Sequence, residues 1–185
     1  MNRRAMLTAV AAATALPALL SSTATFAQAS MAPSDAEKKH ADDTKKVGSL
    51  SLATSRVATE KASDPMVKEF AKWEVAEQET IADILKSIKM EGKAQGALQR
   101  PSDSEVEAID EESKSALEKL KVTSGAAFDK AFVTAQLDGH KKLLAIQEDY
   151  LKVGQNREHL SVTKLARGQI KEHIDHLDMV KSKVG

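Results

Sequence analysis

Four stretches of this chain repeat apolar residues at three- and four-residue spacing, with glycine or proline between them. Such a pattern folds as α-helices packed stripe against stripe. Ser34 with Glu37 three residues later makes a capping box, and Val47, Leu50, Thr54, Val57 and Ala58 then recur on one face, predicting a helix over 34–62. Its middle, Gly48 to Ser55, is rich in small residues, which either lets a neighbouring helix approach closely or leaves a fraying segment. Asp64 before Pro65 starts a second helix over 65–90, because proline at the first helical position lacks only an N–H that would be unpaired anyway. Val67, Phe70, Ala71, Ile81, Ile84, Leu85 and Ile88 form its stripe, and Glu74, Glu77 and Gln78 interrupt it.

Gly92, Gly96 and Pro101 mark a loop, after which Ser102 and Glu105 cap a short helix over 103–121 with Val106, Ile109, Ala116, Leu117 and Leu120. A third long helix over 124–153 carries Phe128, Phe132, Leu143, Ile146 and Tyr150, with Gln136 and His140 at the edge of that face and Gly154 as its stop. The last helix, over 160–183, shows Val162, Leu165, Ala166, Ile170, Leu177 and Val180, with Gln169 and His173 on the stripe and His176 beside it. Short connections favour antiparallel neighbours, so the expectation is an all-α, up-and-down four-helix bundle with one additional short helix.

The N-terminus reads differently. Arg3 and Arg4 precede an apolar run from Ala5 to Leu20, and Ala27-Gln28-Ala29 stands just before Ser30, the order of a secretory signal peptide. Thr8, Thr14 and Pro17 interrupt the run, which weighs against a membrane anchor. The paired arginines also fit a twin-arginine export signal as an alternative to the general secretory route. The domains expected are therefore a signal peptide over 1–29 and a helical domain over 30–185, located in the periplasm with no transmembrane segment in the mature chain. Loss of Arg3 and Arg4 changes the balance of 27 basic and 27 acidic residues to 25 against 27, a net −2, which gives no electrostatic pull toward nucleic acid. There is no cysteine, so disulfides, a catalytic thiolate and a cysteine zinc cluster are excluded.

Glu74, Glu77, His140, His173 and His176 place carboxylates and imidazoles on inward stripes of three helices, and these are the materials of a metal site in a helical core. The Glu-x-x-His pair of di-iron bundles is missing. Leu137 stands three residues before His140, Ile170 before His173, and His173 before His176.

The segments Glu60 to Ala71, Gly125 to Phe132 leading to His140, and His176-Leu177-Asp178-Met179 resemble the domain of unknown function 4142 family. Its members are exported bacterial proteins, ferritin-like and often labelled predicted outer-membrane proteins. The resemblance implies a ferritin-like fold and export, and no established activity. The label fits poorly, since the sequence lacks the alternating strands of a barrel. Where the family usually has an acidic residue and a histidine, the chain reads Glu77 and Gln78; where it has glutamates in the first helix, Ser51 and Ala53; where it has proline before the last histidine, Lys171. Glu77, His140 and His176 remain as matches.

The leading functional reading is a non-enzymatic periplasmic protein that binds a protein, an envelope component or a small ligand, because nucleophile and cysteine are missing and the ligand set is depleted. The alternative is a divalent-metal-binding or metal-dependent redox bundle using the five residues above. Convergence of those side chains on one point favours the second; an apolar groove favours the first. A serine-triad hydrolase is distant, with no Gly-x-Ser-x-Gly elbow.

Overall fold

The computed structural model describes residues 33–89 and 96–185, all helix and connecting segments with no strand among them. The expected signal peptide over 1–29 lies outside the described residues, as does its expected lack of contact with the helices. The elements are α1 (Asp35–Lys61), α2 (Pro65–Lys89), α3 (Asp103–Val106), α4 (Glu111–Val122), α5 (Gly125–Val153) and α6 (Arg157–Val184).

Local caps account for most of these boundaries. Both arms of the Ser34–Glu37 box are made, with Ser34 N–H donating to Glu37 Oε2 at 2.7 Å and Glu37 N–H to Ser34 Oγ at 3.3 Å. Asp64 Oδ1 accepts from the N–H groups of Met66 and Val67 at the start of α2. Two boundaries differ from the sequence reading. The short helix over 103–121 is two: α3 ends at Val106, and Asp110 caps a fresh start by accepting from Ser113 N–H at 2.8 Å. A carboxylate that satisfies an orphan first-turn N–H competes with continuing the preceding helix. The last helix begins at Arg157 rather than near 160, because Asn156 accepts from His159 N–H at 3.0 Å.

α1 packs on α2 and α5, and α6 on α5 and α2. Each adjacent pair is antiparallel. Ser51 and Ser63 of α1 and its following turn face Gln136 and Asp129 of α5, and Phe70 and Glu74 of α2 face His176 and His173 of α6. α2 and α5 consequently run in the same direction, so the expected up-and-down order does not hold: the long segment carrying α3 and α4 crosses between them along α1, where a short loop would have forced an antiparallel neighbour. Arg56 pins that crossing segment, donating to Asp103, to the Pro101 carbonyl and to Glu79 of α2. Leu52 and Ala53 of α1 seat Val106, Ile109 and Leu117 against it.

One end of the helical domain is closed by an apolar cluster of Ala58, Val67, Phe70, Phe128, Phe132, Leu137, Leu177 and Val180. Burial of such side chains stabilises by about 1.5–3 kcal/mol each. A second cluster of Leu143, Ala166 and Ile170 lies further along α5 and α6. Between the two the core turns polar. The small middle of α1 is buried there, with Gly48, Ser51, Thr54 and Ser55 all inside, so close approach and not fraying is its structural meaning. A Cβ on Gly48 would come within 2.6 Å of Gln78 Oε1 on α2.

Candidate metal centre

Helical spacing brings Glu74 of α2, His140 of α5 and His173 of α6 to one level of the core, at the boundary between the apolar clusters. Glu74 Oε2 lies 3.2 Å from His140 Nε2 and 3.1 Å from His173 Nδ1, and those two nitrogens are 3.1 Å apart. Glu74 and His140 are each 1% exposed. His140 Nδ1–H donates to the Gln136 carbonyl at 2.8 Å. That bond fixes the tautomer and turns Nε2 toward Glu74 and His173.

The surrounding groups hold these three in place. Glu77 Oε2 sits 3.2 Å from the other nitrogen of His173, Nε2. The second oxygen of Glu74, Oε1, accepts from Gln78 Nε2 at 2.9 Å and from Ser51 Oγ at 2.5 Å. Ser51 Oγ also lies 2.6 Å from Gln136 Oε1, so its single proton is shared between two acceptors. Gln136 Nε2 in turn donates to the Ser51 carbonyl, Thr54 Oγ1 and Ser55 Oγ.

The electrostatics follow from this arrangement. Burial works against charge on Glu74, but His140, His173 and Ser51 outweigh it and hold the carboxyl far below the usual carboxylate range. Burial likewise opposes charge on His173, yet hydrogen bonds to Glu74 and Glu77 push its imidazole up to about 9. Without a metal, His173 is therefore an imidazolium spanning two carboxylates.

The structure thus brings together four of the five residues expected from sequence, with Glu74, His140 and His173 at the centre and Glu77 behind His173. His176 stands apart. Its ring stacks on Phe70 at 6.0 Å and meets Trp73 edge-on at 5.5 Å, and its buried Nε2 has no hydrogen-bond partner among the described residues. Burial, and then the His173 charge, lower its pKa.

A second polar cluster, on α1, α5 and α6, is not marked by the apolar pattern of the sequence. His40 Nε2–H donates to Gln147 Oε1 at 2.8 Å, Gln147 Nε2 donates to Thr44 Oγ1 at 3.1 Å, and Tyr150 packs against the rings of His40 and His159. Its only sequence signal was the spacing of His40, Thr44 and Val47 on one face of α1, obscured by the surrounding lysines and aspartates.

Fold and site together define an all-helical protein with a buried carboxylate and two imidazoles facing one another across three helices. Residues 21–180 match the model of a domain of unknown function, DUF4142, and the chain belongs to that family. No curated protein and no solved structure matches it. No described helix is long and apolar enough to cross a membrane.

Proposed function

We propose that this chain is an exported, periplasmic protein of ferritin-like four-helix type whose core binds one divalent metal ion through Glu74, His140 and His173. The ring of four long helices with one crossing connection supports the fold, since a single long crossover distinguishes ferritin-like bundles from those joined only by short loops. The observation that carries the metal reading is the triangle of ligand atoms with sides of 3.1, 3.1 and 3.2 Å. An ion about 2.1 Å from each corner would lie roughly 1 Å off their plane, which leaves one face of its coordination sphere open. Two nitrogens and one carboxylate suit zinc, manganese or iron. Both imidazoles already have the outer partner that a metal-binding histidine needs, a backbone carbonyl for His140 and Glu77 for His173.

A second reading is a partner-binding protein whose polar core is held by protons alone. A cavity of about 240 Å³ lined by Ala41, Leu52, Ile81, Leu85 and Val106 favours it. Metal analysis of untagged protein purified from the periplasm separates the two. Under the metal reading, one zinc, manganese or iron ion is found per chain. Added metal then raises the melting temperature at neutral pH, by the equivalent of about 2.7 kcal/mol at one hundred times the dissociation constant. His140→Ala loses both effects. Wild-type protein that carries no metal and gains no stability from it overturns the proposal.

A further inference from the structure

Resting on the metal reading, we infer that the open face of the ion looks into the cleft between α2 and α6 and accepts a ligand of no more than about three heavy atoms, a water, a hydroxide or a small anion. One side of the ligand triangle is shut. The Phe70 ring lies 5.9 Å from that of His140 and 5.1 Å from that of His173. A cavity of about 30 Å³ is bounded by all three ligands, so an ion seated on them would border that space directly. Its apolar walls are Leu143, Ala166 and Ile170, all buried, and the partly buried Ile81, with Thr44 and Gln147 closing it from α1 and α5. Since one water needs at least about 10–15 Å³ of such space, this cavity holds roughly two, which is the size of a small linear anion and too small for an organic substrate.

The cavity also has a way in. Glu77 is half-buried and Gln169 exposed, and both line it from α2 and α6. The charges select the ligand. A divalent ion carrying only Glu74 as anionic ligand keeps a net positive charge on itself and its direct ligands, which favours an anion at the remaining position. Glu77, bound to His173 Nε2, stands at the mouth as a counter-charge that discourages entry of larger polyanions.

Cobalt(II) in the native site gives a visible spectrum that reports both metal uptake and added ligands. Azide is expected to shift the cobalt bands of the wild type, while imidazole at the same concentration leaves them unchanged. Ala166→Leu fills the cavity, so its cobalt spectrum is kept and azide affinity falls at least tenfold. Ile170→Ala enlarges it and admits imidazole. Equal response of the wild type to azide and imidazole, or full azide binding by cobalt-loaded Ala166→Leu, overturns the inference while leaving the metal reading intact. Failure of the wild type to take up cobalt overturns both.

Discussion

His40 of α1 and His159 of α6 meet at the end of the domain opposite the phenylalanine cluster, with Nδ1 of the first 2.7 Å from Nε2 of the second. Only one proton fits between them. Burial pushes the His40 imidazole down to about 4, and His159 adds to this against the opposing bond to Gln147. Since unfolded histidine titrates near 6.5, the unfolded chain takes up a proton between pH 6.5 and 4 that the folded one refuses. Stability is therefore full above about pH 6.5 and falls on the acid side by on the order of 2–3 kcal/mol. His173 acts in the opposite direction: its raised pKa contributes stability below pH 6.5 that disappears as pH rises through about 9. Urea denaturation of metal-free protein across pH should show a maximum near 6 to 7. In His40→Asn the acid-side slope should flatten, and an unchanged slope would refute the assignment to His40.

Asp129, buried on α5, holds the turn between α1 and α2. Its carboxylate accepts from Ser63 N–H at 3.1 Å, from Asp64 N–H at 2.9 Å and from the Ser63 hydroxyl. Asp129→Ala strands these donors and should cost about 2–4 kcal/mol. The melting temperature should fall by roughly 5–12 °C, and Asp129→Asn, which keeps one acceptor, should lose less.

Gly154 and Gly125 need glycine for different reasons. Gly125 has φ of 61°, and nothing lies within 4 Å of a Cβ placed there. At Gly154 φ is an ordinary −63°, but a Cβ would come within 2.5 Å of the Tyr150 ring. Gly154→Ala should therefore displace Tyr150 from His40 and His159 at a cost of about 1–3 kcal/mol. Gly125→Ala should cost about 1–2 kcal/mol through its backbone alone. Thermal melts give both values, and only Gly154→Ala should change the near-ultraviolet signal of the lone tyrosine.

These cases mark what a sequence reading reaches. Ser34, Asp64 and Ser102 announce helix starts because their partners lie two to three residues away. Asp110 and Asn156 act over the same distance, but apolar periodicity runs past Asp110 and is absent around Asn156, so nothing in the pattern marks their caps. Glu74, His140 and His173 stood out because each interrupts an apolar stripe. His40 did not, lying among charged residues, and neither did His159, which precedes the stripe of α6. Gly154 is the C-cap of α5, the stop that its backbone preference announces, but the room it leaves for a ring 4 residues back is not legible, because that contact depends on how Tyr150 is aimed.

Glu74 presents its two oxygens to different neighbours, and this makes a second metal position designable. Oε2 faces His140 and His173, while Oε1 faces Ser51 and Gln78. A carboxylate at 51 and an imidazole at 78 would place two new ligands beside Oε1, leaving Glu74 to bridge a pair of ions about 3.5–4 Å apart. If the wild type binds one ion as proposed, the double variant Ser51→Glu, Gln78→His should bind two manganese or zinc ions per chain by equilibrium dialysis. Ser51 is 6% exposed, so the metal-free variant buries an added carboxylate and should melt below the wild type. Metal should reverse that order. Adding Glu74→Gln to the double variant should abolish the second ion as well as the first, because both depend on the bridging carboxylate. A double variant that still binds a single ion with wild-type affinity would show that Oε1 cannot turn from its hydrogen bonds to a metal.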